Sequence, residues 1–134
     1  MALIETRGGV MDVEQDGQGR DLVLLHSLLT DRSAFERVRP LLAARRRLWL
    51  VNLPGYGRSA PAGPSVEDCA DRIAELLEAL RLPRQMDVLG NGLGGFVAQA
   101  LAIRHGERFD RLVIVDSLAT FPEPGKEPLR RLAA

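Results

Sequence analysis

The residues of this chain best placed to do chemistry stand in the run Met86-Asp-Val-Leu-Gly-Asn-Gly-Leu-Gly-Gly95, which fits two motifs at once. Read as Gly90-x-Gly92-x-x-Gly95, it is a dinucleotide-binding fingerprint, whose glycines let a helix N-terminus approach a pyrophosphate. Read as Gly90-x-Gly92-x-Gly94, it is the strand-turn-helix elbow G-x-S-x-G that presents a nucleophile, with glycine where the serine belongs. The first reading implies a nucleotide cofactor. The second implies acyl-transfer chemistry whose attacking hydroxyl is missing.

The elements around the run serve either motif. An apolar stretch, Met86 to Leu89, precedes the glycines, and a helical pattern follows with Phe96, Val97, Ala100, Leu101 and Ile103. A second strand, Leu112 to Val115, ends in Asp116, and an acid about 20 residues beyond the glycines is what a ribose hydroxyl would need. Two facts weigh against a cofactor. The fingerprint normally follows the first strand of its domain, whereas several strands precede it here. Two upstream segments, Leu24 to Asp31 and Val51 to Ser59, also have no place in a dinucleotide fold.

Those segments carry a family resemblance. Leu53-Pro54-Gly55-Tyr56-Gly57-Arg58-Ser59 resembles the loop after the fourth strand of α/β-hydrolases, usually written D-x-P-G-x-G-x-S. His26-Ser27-Leu28 resembles that family's H-G-x oxyanion loop, with Ser27 for the usual glycine. The order of oxyanion loop, proline-glycine loop, helix, elbow, helix and strand matches an α/β-hydrolase from its first strand through its sixth. The stretch from His26 to Asp31 is also loosely similar to the oxyanion loop of 3-oxoadipate enol-lactonases.

The resemblance implies a role for each position. Gly92 holds the nucleophile's place without its hydroxyl, so covalent acyl transfer is lost while the fold is kept. The N–H groups of Leu93 and Leu28 would form the oxyanion hole, a device in which one donor is worth about 3 kcal/mol of barrier elsewhere. The N-terminus of the following helix adds anion affinity. His26 belongs to the oxyanion loop and reads as structural rather than as a general base. His105 falls at the far end of the elbow helix, where it suits the dipole. The acid and histidine of a triad would follow the seventh and eighth strands. Asp116 stands where some hydrolases take their acid, and otherwise reads as a turn residue. No cofactor and no metal is expected.

The supporting elements read as an α/β order with a mostly parallel sheet flanked by helices. Leu3 to Thr6 and Val10 to Glu14 predict a hairpin. Leu22 to Leu25 and Leu48 to Val51 predict buried strands. A helix is expected from Asp31 or Ser33, with Phe35, Val38, Leu41 and Leu42 inward. Ser65 caps a second helix with Val66, Cys69, Ile73, Leu76, Leu77 and Leu80 on one face, ended by Pro83. Arg45-Arg46-Arg47 reads as a solvated helix end.

Composition sets bounds. The chain has 134 residues, 46% of them hydrophobic, and a formal net charge of zero. That points to no nucleic-acid or anionic-membrane partner. Cys69 is the only cysteine and reads as a small buried residue, which fits a reducing cytoplasm. Lys126 is the only lysine, as a GC-rich bacterial genome would favour. No segment has the length of a membrane span or the apolar core of a signal peptide.

After Phe121 a new helix is expected near Glu127-Pro128, with Leu129 and Leu132 on its apolar side. Residues 1–121 therefore read as the N-terminal part of an α/β-hydrolase core and 122–134 as the start of a cap or linker. The expected partners are a small ester, lactone or acyl ligand and the remaining C-terminal portion of the same fold. Three functions stay open: an ester or lactone hydrolase scaffold without its serine, a non-catalytic relative that binds a small ligand, and a dinucleotide-binding domain.

Overall fold

Continuous apolar runs give the central strands of one sheet two buried faces. The computed structural model describes residues 2–117. The expected helix near Glu127 and the boundary at 122–134 lie outside the described residues. Strands β1 (Ala2–Thr6) and β2 (Gly9–Asp16) form the expected hairpin, with Thr6 opposite Gly9. Strands β3 (Arg20–Leu25), β4 (Arg46–Val51), β5 (Met86–Asn91) and β6 (Phe109–Val115) follow. The sheet order is β1-β2-β4-β3-β5-β6. The last four are parallel neighbours, while β2 lies antiparallel to β4. This is the mostly parallel α/β architecture that the sequence predicts.

Side-chain alternation decides which face each residue covers. Val23, Leu25 and Val51 pack with Ile73 and Leu77 of helix α2 (Val66–Ala79) and with Val97 and Leu101 of α3 (Leu93–His105). Leu22, Leu24, Leu48 and Leu50 face the other way and pack on Phe35. No helix among the described residues is long and apolar enough to cross a membrane.

Helix α2 starts as expected. The Ser65 hydroxyl accepts the Asp68 N–H at 3.1 Å, and Glu67 and Asp68 occupy the first turn. Its end differs from the expectation. The helix closes before Pro83, through Arg81 in the left-handed region at φ 53°. The Arg81 N–H then bonds Glu78 O and the Leu82 N–H bonds Leu77 O. Proline bars the residue before it from helical geometry, and the chain leaves the helix one step sooner still. This is the double bond of a Schellman cap without glycine.

Three further expectations are corrected. The helix after β3 is split into a one-turn 3₁₀ segment (Arg32–Phe35), capped by Asp31, and a short α1 (Arg39–Ala43). Pro40 has no N–H to continue the first piece, so the helical phase resets. Phe35 is buried as expected, but Val38 and Leu41 are exposed. Ile103 is also exposed, because α3 buries the opposite side through Val97, Ala98 and Leu101. Arg46 and Arg47 do not end a helix; they begin β4. Buried carboxylates demand them there: Arg46 Nη2 lies 2.5 Å from Asp87 Oδ2, and Arg47 Nη2 2.9 Å from Asp21 Oδ2.

Candidate active site

The parallel strands end along one edge, and the chemistry-bearing segments gather there. Leu25 pairs with Gly90, and Asn91 with Val115, so the loops after β3, β5 and β6 leave side by side. The elbow itself is Gly92, at φ 55° and ψ −117°. Only glycine adopts this region freely; an L side chain would be held there under strain. Its N–H donates to Val115 O at 3.0 Å, tying the turn to β6.

The neighbouring glycines let α3 rest on the sheet. A Cβ on Gly90 would overlap Gly94 O and lie 2.7 Å from Gly95 Cα. A Cβ on Gly94 would overlap Leu25 O and lie 2.6 Å from His26 O. A Cβ on Gly95 would lie 2.5 Å from Ser117 Cβ. These three positions are filled by the chain's own atoms.

His26 is fully buried at the start of the loop after β3. The Leu53 N–H donates to its Nε2 at 3.0 Å, and its Nδ1–H donates to Ser27 O at 2.8 Å. Both ring nitrogens are therefore committed, in one neutral tautomer. The Tyr56 ring meets it edge-on at 4.7 Å. The imidazole thus clamps the loop after β3 to the proline-glycine loop after β4.

Burial holds the His26 pKa below its ordinary value, against the opposing pull of the Ser27 carbonyl and Asp31. The unfolded chain then takes up this proton at higher pH than the folded one. Stability is expected to be level above about pH 6.5 and to fall below it, by up to about 1.4 kcal/mol per pH unit. Protonation also removes the lone pair that accepts the Leu53 N–H. Urea unfolding from about pH 8 to about pH 5 checks this against His26→Asn, which should lack the slope. Equal slopes in the two proteins would sink the idea.

Leu28 follows Ser27 on the exposed loop, and Leu93 opens α3, half-buried. Among the described residues, neither N–H meets an acceptor. Asp116 sits just past β6 on the same edge, exposed, at φ 50°. Gly92, Leu93, His26, Leu28 and Asp116 thus share one end of the sheet. His105 does not: it lies at the other end of α3, with Nε2 2.9 Å from Asp71 Oδ1. Asp71 is held down at about 2, first by Arg104 and then by His105. Cys69 is buried in α2, and burial pushes its thiol up. Among the described residues, no cluster of three or more His, Cys, Asp or Glu is placed to hold a metal.

No sequence pattern marks the group that supports these loops. Asp12, on β2, is 3% exposed. It accepts from Arg32 Nη1 at 2.6 Å, Asn52 Nδ2 at 3.0 Å and the Arg58 N–H at 3.2 Å. Burial pushes its carboxyl up, but these donors outweigh burial and hold it below the usual range. Ser59 Oγ accepts the Asp12 N–H and donates to Asn52 O. The Arg32 N–H in turn bonds Asn52 Oδ1 at 2.9 Å. One buried carboxylate therefore ties the loop after β3 to the loop after β4.

Comparison with known proteins agrees with this geometry. The alpha/beta hydrolase fold family's sequence model matches residues 22–134. A pimeloyl-[acyl-carrier protein] methyl ester esterase from Aeromonas hydrophila is 44% identical over 111 residues, covering 83% of this chain and 43% of that protein. The Chromobacterium violaceum protein of the same name is 41% identical, covering 81% and 41%. The chain thus spans about two-fifths of the length of these curated relatives. The solved structure of a thermophilic esterase from Thermogutta terrifontis superposes with a TM-score of 0.83 at 30% identity, over 98% of this chain and 51% of that one. With its elbow after β5, its His26 loop after β3 and its proline-glycine loop after β4, the chain belongs to the alpha/beta hydrolase fold family.

Proposed function

We propose that this chain carries the scaffold of a hydrolase of carboxylic esters or lactones, and that it binds a small ester, lactone or acyl compound without forming an acyl-enzyme. The observation that carries this is Gly92: the elbow has the φ 55° turn of a nucleophile position and no side chain to attack with. In this reading the N–H groups of Leu28 and Leu93 receive the ligand's carbonyl oxygen. His26 holds their loop in place and takes no proton from a reacting group, since both its nitrogens are bonded. Asp116, on the same edge, is at most a hydrogen-bonding neighbour of the ligand.

The two relatives named as methyl ester esterases favour an ester over a lactone. The partner in this reading is the remaining C-terminal portion of the fold, with residues 1–121 as the first part of the core and 122–134 leading into a cap. A single buried cysteine suits the cytoplasm. The dinucleotide reading is less favoured, because Gly92, the glycine whose open side would meet a pyrophosphate, faces Ser27 of the loop after β3.

The test is turnover of p-nitrophenyl butyrate and labelling by a fluorophosphonate, both on the 134-residue chain. Neither is expected above the buffer rate. A stoichiometric label would overturn the non-covalent reading.

A further inference from the structure

Ser27 stands against the elbow from across the cleft. A Cβ placed on Gly92 would overlap Ser27 Oγ and lie 2.9 Å from Ser27 Cβ and 3.7 Å from Ser27 Cα. The first of these contacts could be cleared by rotating the hydroxyl. The second could not, because Cβ atoms do not turn about their own bond. Relief would require the backbone of the loop to move.

That backbone is held. The Ser27 carbonyl accepts from His26 Nδ1–H at 2.8 Å and from Thr30 Oγ1–H at 3.1 Å. His26 is itself fixed by the Leu53 N–H. On the other side, Gly92 is tied to Val115, and α3 behind it is seated on Leu25 and His26 through Gly94. Both walls are therefore braced against the shift that would relieve the contact. The space beside the elbow therefore admits one side chain, and Ser27 fills it.

We propose that Ser27 and Gly92 form a mutually exclusive pair, in which Ser27 decides whether the elbow can carry a nucleophile. The hydroxyl beside the elbow belongs to the oxyanion loop instead of the helix N-terminus. It follows that Gly92→Ser alone does not rebuild a hydrolase elbow; Ser27→Gly must accompany it. This deepens the proposed function by naming what keeps the elbow empty, and it rests on that reading only for its consequence in catalysis.

A double-mutant cycle on the full 134-residue chain tests the pair. Gly92→Ala adds only the Cβ, and is made with and without Ser27→Gly. The strain of an L residue at φ 55° is the same in both backgrounds and cancels, so the cycle isolates the contact. Gly92→Ala is expected to shift the unfolding equilibrium constant about tenfold more when Ser27 is present. An insoluble Gly92→Ala chain made soluble by Ser27→Gly would count the same way. Equal shifts in the two backgrounds would overturn the pair.

Ester turnover is read separately, on the Gly92→Ser, Ser27→Gly double variant. A non-additive cycle without turnover leaves the pair standing and does not bear on the ester-hydrolase scaffold, because a triad's acid and histidine would follow the seventh and eighth strands and the described elements end with β6. That scaffold is judged by labelling of the unaltered chain. An additive cycle overturns the pair whatever the turnover.

Discussion

Asp12→Ala is expected to lower the unfolding free energy by about 3 kcal/mol, the lower end of what breaking a buried ion pair costs. Three donors would lose their acceptor together: Arg32 Nη1, Asn52 Nδ2 and the Arg58 N–H. Arg32 keeps a second carboxylate, Glu14, at 3.3 Å, which is why the cost stays at that end. The Asn52 amide and the Arg58 N–H have no such reserve among the described residues. Asp12→Asn should cost less, because it keeps one acceptor while removing the charge that faces Arg32. The same carboxylate sets an acid limit. Its folded pKa lies below the ordinary value, so its contribution is present above about pH 4 and lost as pH falls through the folded value. Urea unfolding near neutral pH checks the first figure; a loss below about 1 kcal/mol would mean that the pair behaves like an exposed one.

Asp12 also shows where sequence reading stops. The strands were legible because Leu22 to Leu25 and Leu48 to Val51 are apolar on both faces, as buried parallel strands must be. The site's loops were legible because glycine and proline punctuate them at fixed spacing, and Gly92 could be seen as an absence at a known place. Asp12 carried no such mark. In a strand that alternates Val10, Asp12 and Glu14 with apolar neighbours, it reads as one more solvent-facing acid, and only the arrival of Asn52 and Arg32 from elsewhere buries it. Arg46 and Arg47 were misread for the same reason: their carboxylates, Asp87 and Asp21, lie on other strands. Val38 and Leu41 were misplaced by a local effect, since one proline changed the phase on which the pattern depends. The contact between Ser27 and Gly92 is a fact about the gap between two loops, and no periodicity encodes a gap.

Gly94→Ala is the second large effect, and its sign runs against helix propensity. In an exposed helix interior, alanine is favoured over glycine by about 1 kcal/mol. Here the added methyl would overlap Leu25 O and stand 2.5 Å from Leu25 C and 2.6 Å from His26 O, all of them backbone atoms. No rotamer change clears them; either α3 lifts off the end of β3 or the loop after β3 is pushed outward. Overpacking of this kind costs about 1–3 kcal/mol, and rigid neighbours place this one near 3. Gly106→Ala is the control. A methyl there meets nothing within 4 Å, and the residue already has φ −61°. It should be neutral or stabilising by up to about 1 kcal/mol. Urea unfolding of the two variants side by side decides the matter, and similar shifts would show that α3 does not press on the sheet as described. A large loss at Gly94 alone carries a further meaning. The carbonyls it would strike belong to the residues just before Ser27, so the close seat of α3 is also what brings the Leu93 N–H and Gly92 up to the loop after β3. Stability at this helix start and the spacing between the elbow and the loop after β3 then depend on the same missing methyl group.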